Sequence, residues 1–392
     1  SLPAGITTEP ADAGSVVAPT IRTKSDVMAA VPERLKRTVS GLVVSPVRVM
    51  RKTPGSGPVS EADASVAVRV TSGRAAASSS RGTRSPGTGS AGMETAFCNF
   101  VEPGDRVLIG CNGYFSERMC EMAAIYGADV RRIEKPWGEV FTPEEVEQTL
   151  AKHAPVKILA FVHAETSTGA LQPLEGMGEL AHRHGALLLV DCVTSLGGVP
   201  VWIDAWGIDV AYSATQKCLG CPPGLSPLTV SERARKVLHG RKSKVKNWYL
   251  DLTMIEKYWN KDRVYHHTPS TTLHYGFREG LRLVLEEGLE ARWNRHRATA
   301  QYLWDKMGSL GLKLFVGEKH RLPSLTTVCI PDGVDDADTR KKLLNDYNID
   351  IAGGFGPLKG KIWRVGLMGF SSRRENVTLF SEALRELIPG RG

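Results

Sequence analysis

From about Gly87 onward, short apolar runs alternate with longer stretches of helical periodicity. The run Arg106-Val107-Leu108-Ile109-Gly110 is bracketed by turn residues and predicts a buried strand. Similar runs at 130–133, 157–163, 186–191 and 209–213 predict four more. Between them, 90–101, 115–126 and 174–184 carry helical patterning. Thr142-Pro143-Glu144-Glu145 marks a helix start, with a capping Thr, Pro at the first helical position and acids in the first turn. Apolar strands separated by helices predict an α/β fold with a mostly parallel sheet covered on both faces. Ligands of such sheets bind outside the carboxyl ends of the strands, so chemistry is expected in the polar residues just past each strand.

A long helical pattern follows from Thr272 to about Leu310, broken near Gly288. Beyond it, 326–330, 337–347, 349–352, 362–365 and 373–387 read as strand, helix, strand, strand, helix. The expected organisation is a large domain over 87–280 and a smaller C-terminal α/β domain over 281–392. Residues 1–86 stand apart. The first 87 residues hold twelve Lys/Arg and six Asp/Glu, and lack Phe, Trp, Tyr, His, Cys, Asn and Gln. A basic, Ser/Gly/Pro/Ala/Val-rich stretch without aromatics cannot easily bury a core, so a poorly ordered arm is expected there.

The whole chain carries +8 at pH 7, with 42% hydrophobic and 23% charged residues, the balance of a globular protein. Six of the eight charges fall in the N-terminal segment. The near-neutral remainder gives no electrostatic footprint for nucleic acid. No apolar run approaches the roughly 18 residues needed to cross a bilayer. Neither nucleic acid nor a membrane is therefore expected as partner. Seven irregularly spaced cysteines argue against a disulfide scaffold and suit a reduced, cytoplasmic protein. The pair Cys218 and Cys221 has no second pair or nearby His, so no metal is expected; a redox role for it stays open.

Three segments carry chemistry. Lys217 follows the strand ending near Ser213 and precedes Pro222-Pro223-Gly224. A lysine at such a strand end suits carbonyl chemistry if burial or a cation lowers its pKa, although a surface lysine in a polar loop would look the same. Asp191 closes an apolar strand, where a carboxylate is costly unless it meets a cation or caps a turn. Pro86-Gly87-Thr88-Gly89-Ser90-Ala91-Gly92 opens a helix, and small residues there leave amides free for an anion.

Together these segments resemble the alanine–glyoxylate / serine–pyruvate aminotransferase family, the class-V pyridoxal-phosphate-dependent aminotransferases. The likeness is carried by Thr166-Ser167-Thr168-Gly169 with Leu171-Gln172-Pro173-Leu174, and by Leu188-Leu189-Val190-Asp191 with Ser195-Leu196-Gly197-Gly198. Gln216-Lys217 with Pro222-Pro223-Gly224, and Tyr265-His266-His267-Thr268, extend it over about residues 87–390.

The resemblance implies the fold-type I architecture and pyridoxal 5'-phosphate as cofactor. It implies Lys217 as the lysine that bonds the cofactor's aldehyde, Asp191 as partner of the ring nitrogen, and Val193 and Phe115 on the two ring faces. The resemblance places Phe115 where the human-type enzyme has Trp, a larger ring in the same role. Thr166 falls on a cofactor-contacting Ser/Thr; Thr88, Gly89, Ser90 and Gln216 fall on the phosphate site, with Ser90 in place of a common His. Tyr265 and Thr268 match residues that reach the phosphate of a neighbouring subunit, implying a homodimer with shared active sites. Arg364, in Trp363-Arg364-Val365-Gly366, matches the arginine that grips the substrate carboxylate. The implied reaction moves an amino group from alanine or serine to glyoxylate or pyruvate by ping-pong kinetics, with Lys217 as general acid/base.

The family's Gly-Pro-Gly-Pro start and following His-containing stretch are missing from residues 1–87. A reading-frame change in a GC-rich gene would produce such an Arg/Ser/Pro/Gly/Ala/Val bias; a divergent natural arm is the other explanation. Two alternatives stay open for function: a class-V lyase of cysteine-desulfurase type, which needs a loop cysteine over the site, and an inactive pseudoenzyme. His163 and His266 read as structural.

Overall fold

The computed structural model describes residues 81–261 and 263–388. The expected arm lies outside the described residues except for its last six. These six, Arg81–Pro86, form a strand, β1. Backbone pairing holds β1 antiparallel to a later strand over its whole length. Composition does not encode such pairing.

The chain then continues as helix α1 (Gly89–Phe100), β2 (Arg106–Cys111), α2 (Tyr114–Ile125), β3 (Asp129–Glu134) and α3 (Pro143–Lys152). Next come β4 (Ile158–Val162), the short hairpin β5 (Ala164–Glu165) and β6 (Ala170–Leu171), α4 (Met177–Arg183), β7 (Leu187–Asp191), β8 (Val210–Tyr212) and β9 (Leu225–Val230). A seven-stranded sheet forms in the order β1-β9-β8-β7-β4-β2-β3. The β8-β7-β4-β2-β3 neighbours all pair parallel, and β9 alone runs antiparallel to its neighbours. The expected mostly parallel α/β sheet is present.

Alternation along the strands explains why both faces are covered. Val107, Ile109, Leu187 and Leu189 pack in one core with Met93 and Phe97 of α1 and Met119 of α2. Leu108, Leu159, Leu188 and Val190 point the other way, into a core with Val146 and Leu150 of α3 and Leu180 of α4. Thr142 caps α3 as expected, accepting from the Glu145 N–H, while Glu145 Oε2 accepts the Thr142 N–H at 2.9 Å. Helix α4 starts later than expected, because Gly176 before it adopts a left-handed φ of 78°.

The remaining elements are α5 (Glu232–His239), α6 (Leu252–Trp259), α7 (Thr271–Glu287), α8 (Leu289–Ser309), β10 (Leu325–Cys329), α9 (Asp336–Tyr347), β11 (Ala352–Gly353), β12 (Ile362–Gly366) and α10 (Arg374–Leu387). The break between α7 and α8 falls at Gly288, with φ 81°. Strands β10, β12 and β11 form a separate antiparallel sheet with β12 central. Leu303, Leu343, Trp363 and Phe380 fill the core that this sheet shares with α8, α9 and α10.

The expected strand over 349–352 is absent. Asn348 ends α9 in the left-handed conformation at φ 56°, and the Ile349 N–H donates back to Leu343 O at 2.9 Å, so those residues form a helix cap and only Ala352–Gly353 pair.

Candidate active site

The ends of three parallel strands and the start of α1 converge on a cavity of about 180 Å³. Nine of the twelve residues singled out in the sequence line it: Thr88, Gly89, Ser90, Phe115, Thr166, Asp191, Val193, Gln216 and Lys217. Each arrives from just past a strand or at a helix start, where the sheet topology places ligands.

The floor is Asp191, at the carboxyl end of β7 and 4% exposed. Its Oδ1 accepts the Val193 N–H at 2.8 Å and its Oδ2 accepts the Tyr212 hydroxyl at 2.8 Å. Burial pushes the carboxyl up to about 6, against these donors and the nearby Lys217 charge. Lys217 follows β8. Burial lowers its pKa from the usual lysine value, and Arg364 adds to the lowering. A lysine so shifted offers more of the free amine that carbonyl chemistry needs.

One wall is the N-terminus of α1. Its first helical hydrogen bond runs from the Gly92 N–H to Thr88 O at 3.1 Å, and the Thr88 side chain makes no cap. The amides of the first turn are therefore free of intrahelical partners, and the helix dipole adds positive potential. A Cβ on Gly89 would lie 2.9 Å from Val193 Cγ2 and 3.2 Å from Ala214 Cβ, so glycine keeps this wall open. The Gln216 Oε1 is buried with no hydrogen-bond partner; turned over, the same amide presents two donors to an anion.

Arg364, on β12, does not line the cavity but bonds the backbone of Thr166, which does. Its Nη1 donates to Thr166 O at 3.3 Å, its Nε donates to Gly353 O at 2.7 Å, and its guanidinium lies 4.0 Å from the Phe355 ring centre. Tyr265 and Thr268 are not brought to this cavity. Tyr265 is 71% exposed, on the stretch between α6 and α7, with its hydroxyl 3.2 Å from Thr268 Oγ1. The two histidines read as structural sit in aromatic contacts: His163 edge-on to Trp206, and His266 stacked on Trp248 with Nε2 near Trp248 O.

Arg118, Met93 and Thr194 also line the cavity, and Tyr212 and Glu165 support it from behind, none of them singled out in the sequence. Arg118 is one turn beyond Phe115 on α2, and its Nη1 reaches Ser90 Oγ at 3.4 Å. That three-residue spacing is visible in the sequence; the register that sets Tyr212 opposite Asp191 is not. Among the described residues no cysteine lines the cavity, and no three or more His, Cys, Asp or Glu gather as a metal site.

Comparison with known proteins places this geometry. The Aminotransferase class-V family model matches residues 85–361. Alanine–glyoxylate aminotransferase of Callithrix jacchus is 45% identical over 306 residues, covering 77% of this chain and 74% of that protein. The (S)-ureidoglycine–glyoxylate transaminase of Bacillus subtilis is 42% identical over 320 residues, covering 77% of each. The crystal structure of an alanine–glyoxylate aminotransferase from Nostoc sp. superposes with a TM-score of 0.77 at 56% identity, over 78% of this chain and 81% of that one. The chain belongs to the class-V aminotransferases, a family that works with pyridoxal phosphate.

Proposed function

We propose that the protein is a pyridoxal-phosphate-dependent transaminase that takes an amino group from alanine or serine and passes it to glyoxylate or pyruvate. The observation that carries this is the convergence of a buried carboxylate, a lysine of lowered pKa and a helix N-terminus on one cavity. The residues present fit the cofactor: the open Gly89 wall and the unpartnered Gln216 amide suit its phosphate, and the buried Asp191 suits a protonated ring nitrogen. When bound, the cofactor supplies an aldehyde that accepts the amino group and a ring that draws electrons from the donor's Cα.

The chain's own residues do the rest. The first-turn amides of α1, with Thr88, Ser90 and Gln216, hold the phosphate. Phe115 and Val193 enclose the ring from either side and exclude water, with Thr166 at its edge. Asp191 keeps the ring nitrogen protonated. Lys217 would hold the aldehyde end of the cofactor, and its amine would take the proton from the donor's Cα as general base and return it as general acid. Arg364 takes the substrate carboxylate with a planar fork, so donor and acceptor acids use one grip in turn, as ping-pong exchange requires.

The names of the similar proteins favour glyoxylate as acceptor. The cysteine-desulfurase-type lyase finds no cysteine in the cavity lining among the described residues. Exposed Tyr265 and Thr268 support a homodimer in which these side chains reach the partner's phosphate site. Among the described residues no helix is long and apolar enough to cross a membrane. The seven free cysteines support a reducing compartment, and the cytoplasm is the proposed location.

The test is the visible absorbance of the full chain reconstituted with pyridoxal phosphate. A lysine-linked cofactor band that bleaches on adding L-alanine and returns with glyoxylate is expected. The same band with Lys217→Ala would refute Lys217 as its anchor.

A further inference from the structure

The Glu165 carboxyl is 1% exposed and, among the described residues, has no cation within hydrogen-bond reach, yet it is the hub of a closed polar network. Its Oε2 accepts the N–H groups of Phe115 at 3.1 Å and Ser116 at 3.2 Å, in the first turn of α2. Its Oε1 accepts the Ser167 N–H at 3.0 Å and the Ser167 hydroxyl at 2.7 Å. Ser167 Oγ in turn accepts the Tyr114 N–H at 2.9 Å. Three successive amides of α2 are thus bound to the 165–167 turn. Gly113 makes room for the contact, since a Cβ there would lie 2.5 Å from Glu165 Cδ and 2.7 Å from Ser167 Oγ.

The four donors occupy the acceptor positions of the carboxylate, which leaves none for an amide NH2. The two segments joined are those that face the cavity from this side: Phe115 lies on α2, and Thr166 lies between Glu165 and Ser167. Thr166 O is also the anchor of the Arg364 Nη1.

We propose that Glu165 is a positioning residue of the active site: its buried carboxylate locks the first turn of α2 to the Thr166 turn and so sets where the Phe115 ring stands relative to the cofactor. This rests on the cofactor reading above. Glu165 touches neither substrate nor cofactor; it acts through Phe115 and Thr166. Burial pushes its carboxyl up to about 7; the Ser167 and Ser116 donors oppose that rise and the nearby Asp191 charge adds to it.

The test compares full-length wild type with Glu165→Gln, Ser167→Ala and, as control, Asp209→Asn. Asp209 is equally buried and accepts the Leu188 N–H and the Ser231 hydroxyl, but at the opposite end of the strands. In cofactor-free protein, amide exchange at Tyr114, Phe115 and Ser116 should quicken by about tenfold or more in Glu165→Gln and not in Asp209→Asn. After loading with pyridoxal phosphate, Glu165→Gln should keep the cofactor band but lose its induced circular dichroism by about threefold or more, with affinity weakened by about tenfold. Ser167→Ala should fall between, and it decides the matter should Glu165→Gln fail to fold. Wild-type circular dichroism in both variants, or an equal loss in Asp209→Asn, overturns the proposal. A wild type that takes up no cofactor sinks the cofactor reading instead, and amide exchange alone then decides whether Glu165 holds the turn.

Discussion

The Tyr212 hydroxyl donates to Asp191 Oδ2 at 2.8 Å, from directly across the β7–β8 pair. With the Val193 N–H on Oδ1, this fixes the plane of the one carboxylate on the cavity floor. These two donors hold Asp191 against rotation, which the proposed pairing with the cofactor's ring nitrogen requires.

Tyr212→Phe should therefore leave the fold and cofactor uptake intact and slow transamination by about tenfold, the scale of one lost hydrogen bond to a charged group. Asp191→Asn should cost more, about 10²–10⁴-fold in kcat, because an amide cannot hold the ring nitrogen protonated. Steady-state kinetics on both variants checks the order.

The contribution of Asp191 to the stability of the cofactor-free protein should fall as pH rises. Burial raises Asp191 from 3.8 to about 6 in the folded state. Its contribution is fully present below the unfolded value and is lost as pH climbs through the folded one. Urea denaturation at about pH 4.5 and about pH 7.5 should show wild type losing roughly 2 kcal/mol more than Asp191→Asn between the two. Parallel pH dependence in the two proteins would contradict the buried carboxylate.

Gly92 is where α1 meets the sheet. A Cβ there would collide with Ser226 Oγ and lie 3.2 Å from Tyr212 Cβ. Gly92→Ala should destabilise the protein by about 1–3 kcal/mol through overpacking, read as a lower urea midpoint at unchanged slope.

Arg364→Lys keeps the charge and loses the planar fork. KM for both amino and keto acid should rise by about 10–100-fold while the cofactor band is unchanged. A loss confined to kcat would argue against a carboxylate grip.

Much of the sheet could be read from the sequence because strands buried on both faces are continuous apolar runs, as in Leu187–Asp191. Strand β9 was hidden by Pro227, which argues against a strand interior but here still pairs, its carbonyl accepting the Ser213 N–H at 2.8 Å. Lys217, Asp191 and the Gly-rich turn were legible because each sits next to a strand or helix boundary. Glu165 and Tyr212 were not, since their roles depend on which chain segment packs opposite them.

The most direct test of the central claim is product formation by the full chain with pyridoxal phosphate, L-alanine and glyoxylate. Pyruvate and glycine should appear in equal amounts, with parallel double-reciprocal plots, and Lys217→Ala should abolish both. A wild type that carries the lysine-linked cofactor band yet forms no keto acid from either L-alanine or L-serine with glyoxylate would contradict the transaminase assignment.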